Sequence, residues 1–198
     1  MIESRRRFVF AVCLLPLPLR AQTPAPRVKV EDQWFDGVAR VADADLRLNG
    51  TGVRAVAWFK GYAAGLYLSA RATTAEQALA LAGPKRLQLR MLYEVPAAEF
   101  VKAVHKGVLR NATAQQAVAL EARLAQFESQ VAALARVRRG QVIDLDHEPG
   151  RGMSLRVDGT LRGELIAGDD FFTAVLRSFV GAQPYDEKLK AGLLGGPA

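Results

Sequence analysis

Few side chains in this sequence are placed to do chemistry, and two of them are cations inside a segment that otherwise reads as buried. The stretch Leu48–Ser69, LNGTGVRAVAWFKGYAAGLYLS, carries Arg54 and Lys60 among apolar neighbours. Successive strand residues alternate between faces, so Arg54, Val56, Trp58, Lys60 and Tyr62 share one face and Val53, Ala55, Ala57 and Phe59 the other. Trp58 and Tyr62 require cover, which puts their row beneath helices and encloses Arg54 with them. An enclosed guanidinium needs an anionic or strongly polar partner. That partner is either an acid of the chain, such as Glu94 or Glu99, or the anionic group of a ligand. In a third arrangement the stem is buried and the charge reaches the edge. Lys60, beside Gly61 at an expected bulge, turns outward.

The other titratable groups are less suggestive. His105 falls within a helix, and His147 stands at a strand end with Asp144, Asp146 and Glu148. Alternate strand residues point apart, and spacing of the HExxH or CxxC kind is missing, so this acidic cluster reads as a solvated turn and no metal site is expected. The sequence holds no G-x-S-x-G elbow, no Walker loop and no dinucleotide fingerprint, so no cofactor is expected either.

Residues 1–21 read as an export signal: a basic start, a short apolar run from Phe8 to Leu19, then a small residue and a Pro/Thr-rich linker over 22–30. The run is too short to span a bilayer, and Ser4-Arg5-Arg6-Arg7-Phe8-Val9 fits the twin-arginine pattern. A soluble periplasmic protein without stable membrane insertion is the expectation. Its sole cysteine, Cys13, leaves with the leader, so neither disulfide nor thiol chemistry follows. Four leader arginines against Glu3 account for +3 of the formal +7. The remaining excess is scattered rather than striped, which argues against a nucleic-acid partner.

One domain over 31–198 must then position Arg54. Asn49-Gly50 predicts a hairpin turn, with the Leu48–Ser69 stretch as one long return strand broken near Gly61. A short helix over 74–81 and a strand over 86–94 follow. Pro96 opens a helix to about Asn111 whose stripe is Phe100, Val101, Val104 and Val108. Thr113 to Gln116 has capping-box spacing and opens a second long helix to about Val137. Three short strands, 141–147, 153–157 and 160–166, precede a helix bearing Phe172, Val175, Leu176 and Phe179, and Pro184 starts a last one. The class is α+β, a largely antiparallel sheet with helices on one face.

The opening stretch LNGTGVRAVAWFKGYAAGLYLS, the middle PGRGMSLRVDG and the closing FFTAVLRSFVGAQPYDEKLKAGLLG together resemble the chalcone-isomerase-like superfamily, in its bacterial exported branch, over residues 28–195. The resemblance implies an open-faced β-sandwich with a ligand cleft between a large antiparallel sheet and a helical layer. It implies that Arg54 matches the strand arginine that stabilises a phenolate in the plant isomerases and holds a carboxylate in fatty-acid-binding members. Tyr62 and Phe100 stand where the plant enzymes carry a threonine and a tyrosine, and Gly107 where they carry an asparagine. Phenylalanine offers no hydroxyl, so authentic chalcone isomerase activity is not expected. The expectation is a cleft walled by Arg54, Trp58, Tyr62, Phe100 and Val104, holding a small apolar or amphipathic acid of fatty-acid or aromatic-acid type. The alternatives are an isomerase or lyase with Arg54 on an oxyanion and Tyr62 as proton donor, and a non-catalytic partner protein.

Overall fold

A computed structural model describes residues 26–56 and 59–197. Two short strands, β1 (Arg27–Val30) and β2 (Gln33–Asp36), form a hairpin of their own, so residues 27–30, read above as linker, are a strand. The main sheet begins with β3 (Val38–Val41), β4 (Ala44–Val56) and β5 (Phe59–Leu68). Helix α1 (Ala75–Ala80), capped by Thr74, leads to β6 (Lys85–Met91). The two-residue strand β7 (Val95–Pro96) enters α2 (Ala97–Arg110), and α3 (Ala114–Ala132) returns to β8 (Arg136–Val137), which pairs with β7. Strands β9 (Val142–Glu148), β10 (Gly152–Val157), β11 (Thr160–Leu161) and β12 (Ile166–Ala167) follow, then α4 (Asp169–Val180) and α5 (Glu187–Leu193).

The sheet is antiparallel throughout, in the order β11-β10-β9-β6-β5-β4-β3, with β12 also on β10. Register explains why one face is core. Leu66, Leu87, Leu145 and Leu155 lie opposite one another across β5, β6, β9 and β10, and Ala64, Leu89, Ile143 and Val157 form the next row. Against them α4 buries Phe171, Phe172, Val175, Leu176 and Phe179. Apolar burial on this scale supplies most of the favourable free energy of the fold. Helix α2 contributes Phe100, Val104 and Val108, and α3 contributes Leu120, Leu124, Phe127 and Val131, the spacings their sequences carry. Among the described residues no helix is long and apolar enough to cross a membrane.

Three expectations are corrected. Asn49-Gly50 is not a turn; β3 turns into β4 at Ala42-Asp43, with Ala42 at φ 50°, and Asn49 sits inside β4 at a register shift. The side chain of Asn49 donates to the carbonyls of Ala72 (2.9 Å) and Leu193 (2.8 Å) and accepts from the Ala72 N–H (2.8 Å). Gly50 lets the end of α5 approach, since a Cβ there would stand 2.1 Å from the Gly192 carbonyl oxygen. The Leu48–Ser69 stretch, in turn, is two strands: Val56 lies opposite Phe59, so the chain reverses between them. Finally, Asp144 and Asp146 are not solvated. Both are buried on the sheet face away from the helices, where the sheet curls β3 toward β6 and β9. Arg86 grips Asp146 with two 2.6 Å bonds and Gln88 donates to Asp144 (2.8 Å). Burial still pushes the Asp144 carboxyl above the usual carboxylate range, against the pull of Arg86. His147 points the opposite way, stacked on Phe172 and 3.1 Å from Asp169. Among the described residues no cluster of histidine and carboxylate side chains is arranged to hold a metal ion.

Candidate functional site

The register shift near the end of the β4–β5 hairpin positions the cation. Arg54 pairs with Tyr62 and Ala55 with Lys60, which leaves Gly61 as the unpaired residue of a bulge. Arg54 and Tyr62 are therefore cross-strand neighbours on one face rather than members of one continuous strand. Lys60 turns outward, exposed and bonded to Glu31 at 2.8 Å.

Arg54 and Tyr62 open onto a cavity of about 330 Å³ between the sheet and the helices. The sheet supplies Arg54, Gly61, Tyr62 and Met91; α2 supplies Glu99, Phe100, Ala103 and Val104; Phe179 and Tyr185 close the far side. Four of the five residues expected at the cleft thus meet around one cavity: Arg54, Tyr62, Phe100 and Val104. Trp58 lies outside the described residues. The lining is mostly apolar because α2 turns its Phe100 and Val104 stripe toward the sheet, leaving Lys102 and Lys106 to solvent.

The acid beside Arg54 is neither Glu94 nor Glu99. Glu94 bonds Arg136 at 2.7 Å, and Glu99 stands exposed at the cavity mouth. Arg54 Nη1 donates to the Ala55 carbonyl (2.7 Å) and to Asp186 Oδ2 (3.3 Å). The other carboxylate oxygen of Asp186 caps α5, accepting from the N–H groups of Lys188 (2.8 Å) and Leu189 (3.1 Å). Nε and Nη2 of Arg54 make no hydrogen bond to the described residues.

Tyr185 is the residue that reading the sequence missed. Its O–H donates to the Ala103 carbonyl (3.0 Å) and its ring meets Phe179 edge-on at 5.0 Å. Gly107 makes room for it: a Cβ at 107 would lie 2.3 Å from the Tyr185 hydroxyl oxygen. A glycine in mid-helix was the available signal, since such positions usually admit a close neighbour. Burial pushes the Tyr185 hydroxyl up to about 12 and raises Tyr62 further, so both stay protonated at neutral pH. The Tyr185 proton is committed to a helix carbonyl, which leaves its oxygen as an acceptor toward the cavity.

A large curled antiparallel sheet covered by helices on one face, with a mostly apolar cavity between the layers and one arginine in its wall, is an open-faced β-sandwich. The chain belongs to the chalcone isomerase-like family, which it matches over residues 27–195. Among solved structures it is similar to a fatty-acid binding protein of Arabidopsis thaliana, with a TM-score of 0.65 and 17% identity over 85% of this chain and 96% of that one. At that identity the likeness shows the fold. Comparison with curated proteins finds no match.

Proposed function

We propose that this chain is an exported protein that holds a small amphipathic acid, its apolar part in the cavity and its carboxylate on Arg54. The observation that carries this reading is a single guanidinium in a mostly apolar wall, with two nitrogens free of bonds to the described residues. Charge-assisted, bidentate capture of a carboxylate is what an arginine fork does best. The similar Arabidopsis structure is that of a fatty-acid binding protein, which supports the same class of ligand here. A cavity of about 330 Å³ has room for roughly eleven groups the size of a water molecule, which favours medium-chain or single-ring acids. Residues 1–21 serve as the export leader, of twin-arginine type, and release a periplasmic protein.

Titration with a series of straight-chain acids, followed by calorimetry, tests the reading. Binding should peak at medium length and vanish for the matching alcohols. Equal affinity for acid and alcohol would refute it. The cross-strand pairing of Arg54 and Tyr62 favours a second reading, an isomerase or lyase in which Arg54 stabilises an oxyanion and Tyr62 donates the proton. Hydroxychalcone ring closure is not expected, because Phe100 supplies no hydroxyl and Tyr185 has already spent its proton on Ala103.

A further inference from the structure

One wall of the cavity beside Arg54 comes from neither strand nor helix. Tyr185 belongs to the connection between α4 and α5, and the backbone of that connection is fastened at three points. Asn111, which caps the C-terminal end of α2, accepts from the Gln183 N–H (3.1 Å) and donates to the Gln183 carbonyl (2.8 Å). The Tyr185 N–H donates to the Ser178 carbonyl (2.8 Å). Gly181 keeps the Asn111 clamp uncrowded, since a Cβ there would stand 3.0 Å from Asn111 Oδ1. Pro184, with its fixed φ, stiffens the link between clamp and ring.

From this fixed backbone the ring reaches across to α2. Its hydroxyl bonds the Ala103 carbonyl (3.0 Å), and Phe179 meets it edge-on at 5.0 Å. The outer end of the ring rests on Gly107, where a Cβ would lie 2.3 Å from the hydroxyl oxygen and 2.4 Å from both Cε1 and Cζ. A glycine in mid-helix costs stability relative to alanine. What that position admits here is the Tyr185 ring. The ring therefore fills space that would otherwise join the cavity to the notch at Gly107.

We propose that Tyr185, seated on Gly107, is the size gauge of the cavity and sets the longest acid it accepts. The inference rests on the reading of the cavity as an acid site and adds the residue that decides which acids fit. Within about 330 Å³ each added carbon of a bound acid gains apolar contact until the tail meets a wall. At Tyr185 that wall has little room to retreat, because the clamped backbone, the Ala103 bond and the Phe179 contact all hold it. Forcing further carbons against a packed ring is unfavourable, so affinity falls beyond the limit rather than levelling off. Selection by length is thereby separated from recognition of the carboxylate, which belongs to Arg54.

Calorimetric titration with straight-chain acids from hexanoate to tetradecanoate, on the parent and four variants, tests this. Tyr185→Ala vacates the ring, a volume of roughly four water-sized groups. The best-bound acid should become about three or four carbons longer, and that longer acid should bind about tenfold more tightly than it does to the parent. Gly107→Ala drives the ring off α2 and should move the optimum to a shorter acid. The double variant should behave like Tyr185→Ala, because alanine at 107 then has no ring to displace. Tyr185→Phe keeps the ring and should leave the optimum in place. An unmoved optimum in Tyr185→Ala would overturn the proposal, as would a Tyr185→Phe optimum shifted as far as that of the alanine variant. Should Tyr185→Ala not fold, a Gly107→Ala optimum identical to the parent's overturns it equally. A parent that binds no straight-chain acid refutes the acid site and the gauge with it. A parent that binds them, with an optimum no variant moves, refutes the gauge alone.

Discussion

Arg54 and Asp186 act on the site in opposite directions. Asp186 holds one nitrogen of the guanidinium and caps α5 with its other oxygen, so it competes with any incoming anion while serving the fold. Arg54→Met keeps an apolar stem but deletes the fork, and acid binding should weaken by roughly 2–4 kcal/mol. Stability should fall by only about 1 kcal/mol, because Asp186 retains its two backbone donors and the pair is partly solvated. Asp186→Asn separates the roles: asparagine caps a helix as well as aspartate does, while the competing charge is gone. Acid affinity should rise with little change in melting temperature. Calorimetric titration of both variants with one medium-chain acid decides the matter. A tighter-binding Arg54→Met would remove Arg54 from the site.

At the scale of elements, the two long helices were legible and the first hairpins were not. Pro96 and the Phe100, Val104, Val108 spacing placed α2, and the Thr113–Gln116 capping box opened α3 as expected. The α3 end was set too late, because Ala135 adopts φ 57° and Arg136–Val137 leaves to pair with β7. The reversal between Val56 and Phe59 has only Ala57 and Trp58 between them, neither a turn residue, so local chemistry could not announce it. Asn49-Gly50 has ideal turn chemistry but is used for a long-range contact, and pairwise contacts 144 residues apart leave no local pattern. The same separation hid Tyr185 and Asp186 from the cavity they line or neighbour. Asn49→Ala should therefore be far more damaging than its strand position suggests. It orphans buried groups of Ala72 and Leu193, a loss of at least about 3 kcal/mol. Urea unfolding should show it, with exposed Ser69→Ala as a control within about 0.5 kcal/mol of the parent.

For the molecule as a whole, alkali is the revealing stress. Burial raises Tyr62, Tyr67 and Tyr185, three of the four tyrosines, above their ordinary value near 10. Above that pH the unfolded chain releases these protons and the folded chain keeps them. The folded state then binds more protons, so stability is complete below about pH 10 and falls as pH rises beyond it. Tyrosinate absorbance from these three residues should appear together with loss of the near-ultraviolet circular dichroism. Early ionisation of all three in folded protein would contradict their burial.

The clasp that Asn49 forms with Leu193 also bears on when the chain can fold. Strand β4 is fastened by a residue 144 positions later, and Gly50 is covered by the last turn of α5. A nascent chain carries that half-clasp unmet until the 144 positions from Asn49 to Leu193 have been added. Contacts of such sequence separation form late and slowly. Folding of β4 is therefore coupled to that of α5, and neither can reach its final packing before the other is available.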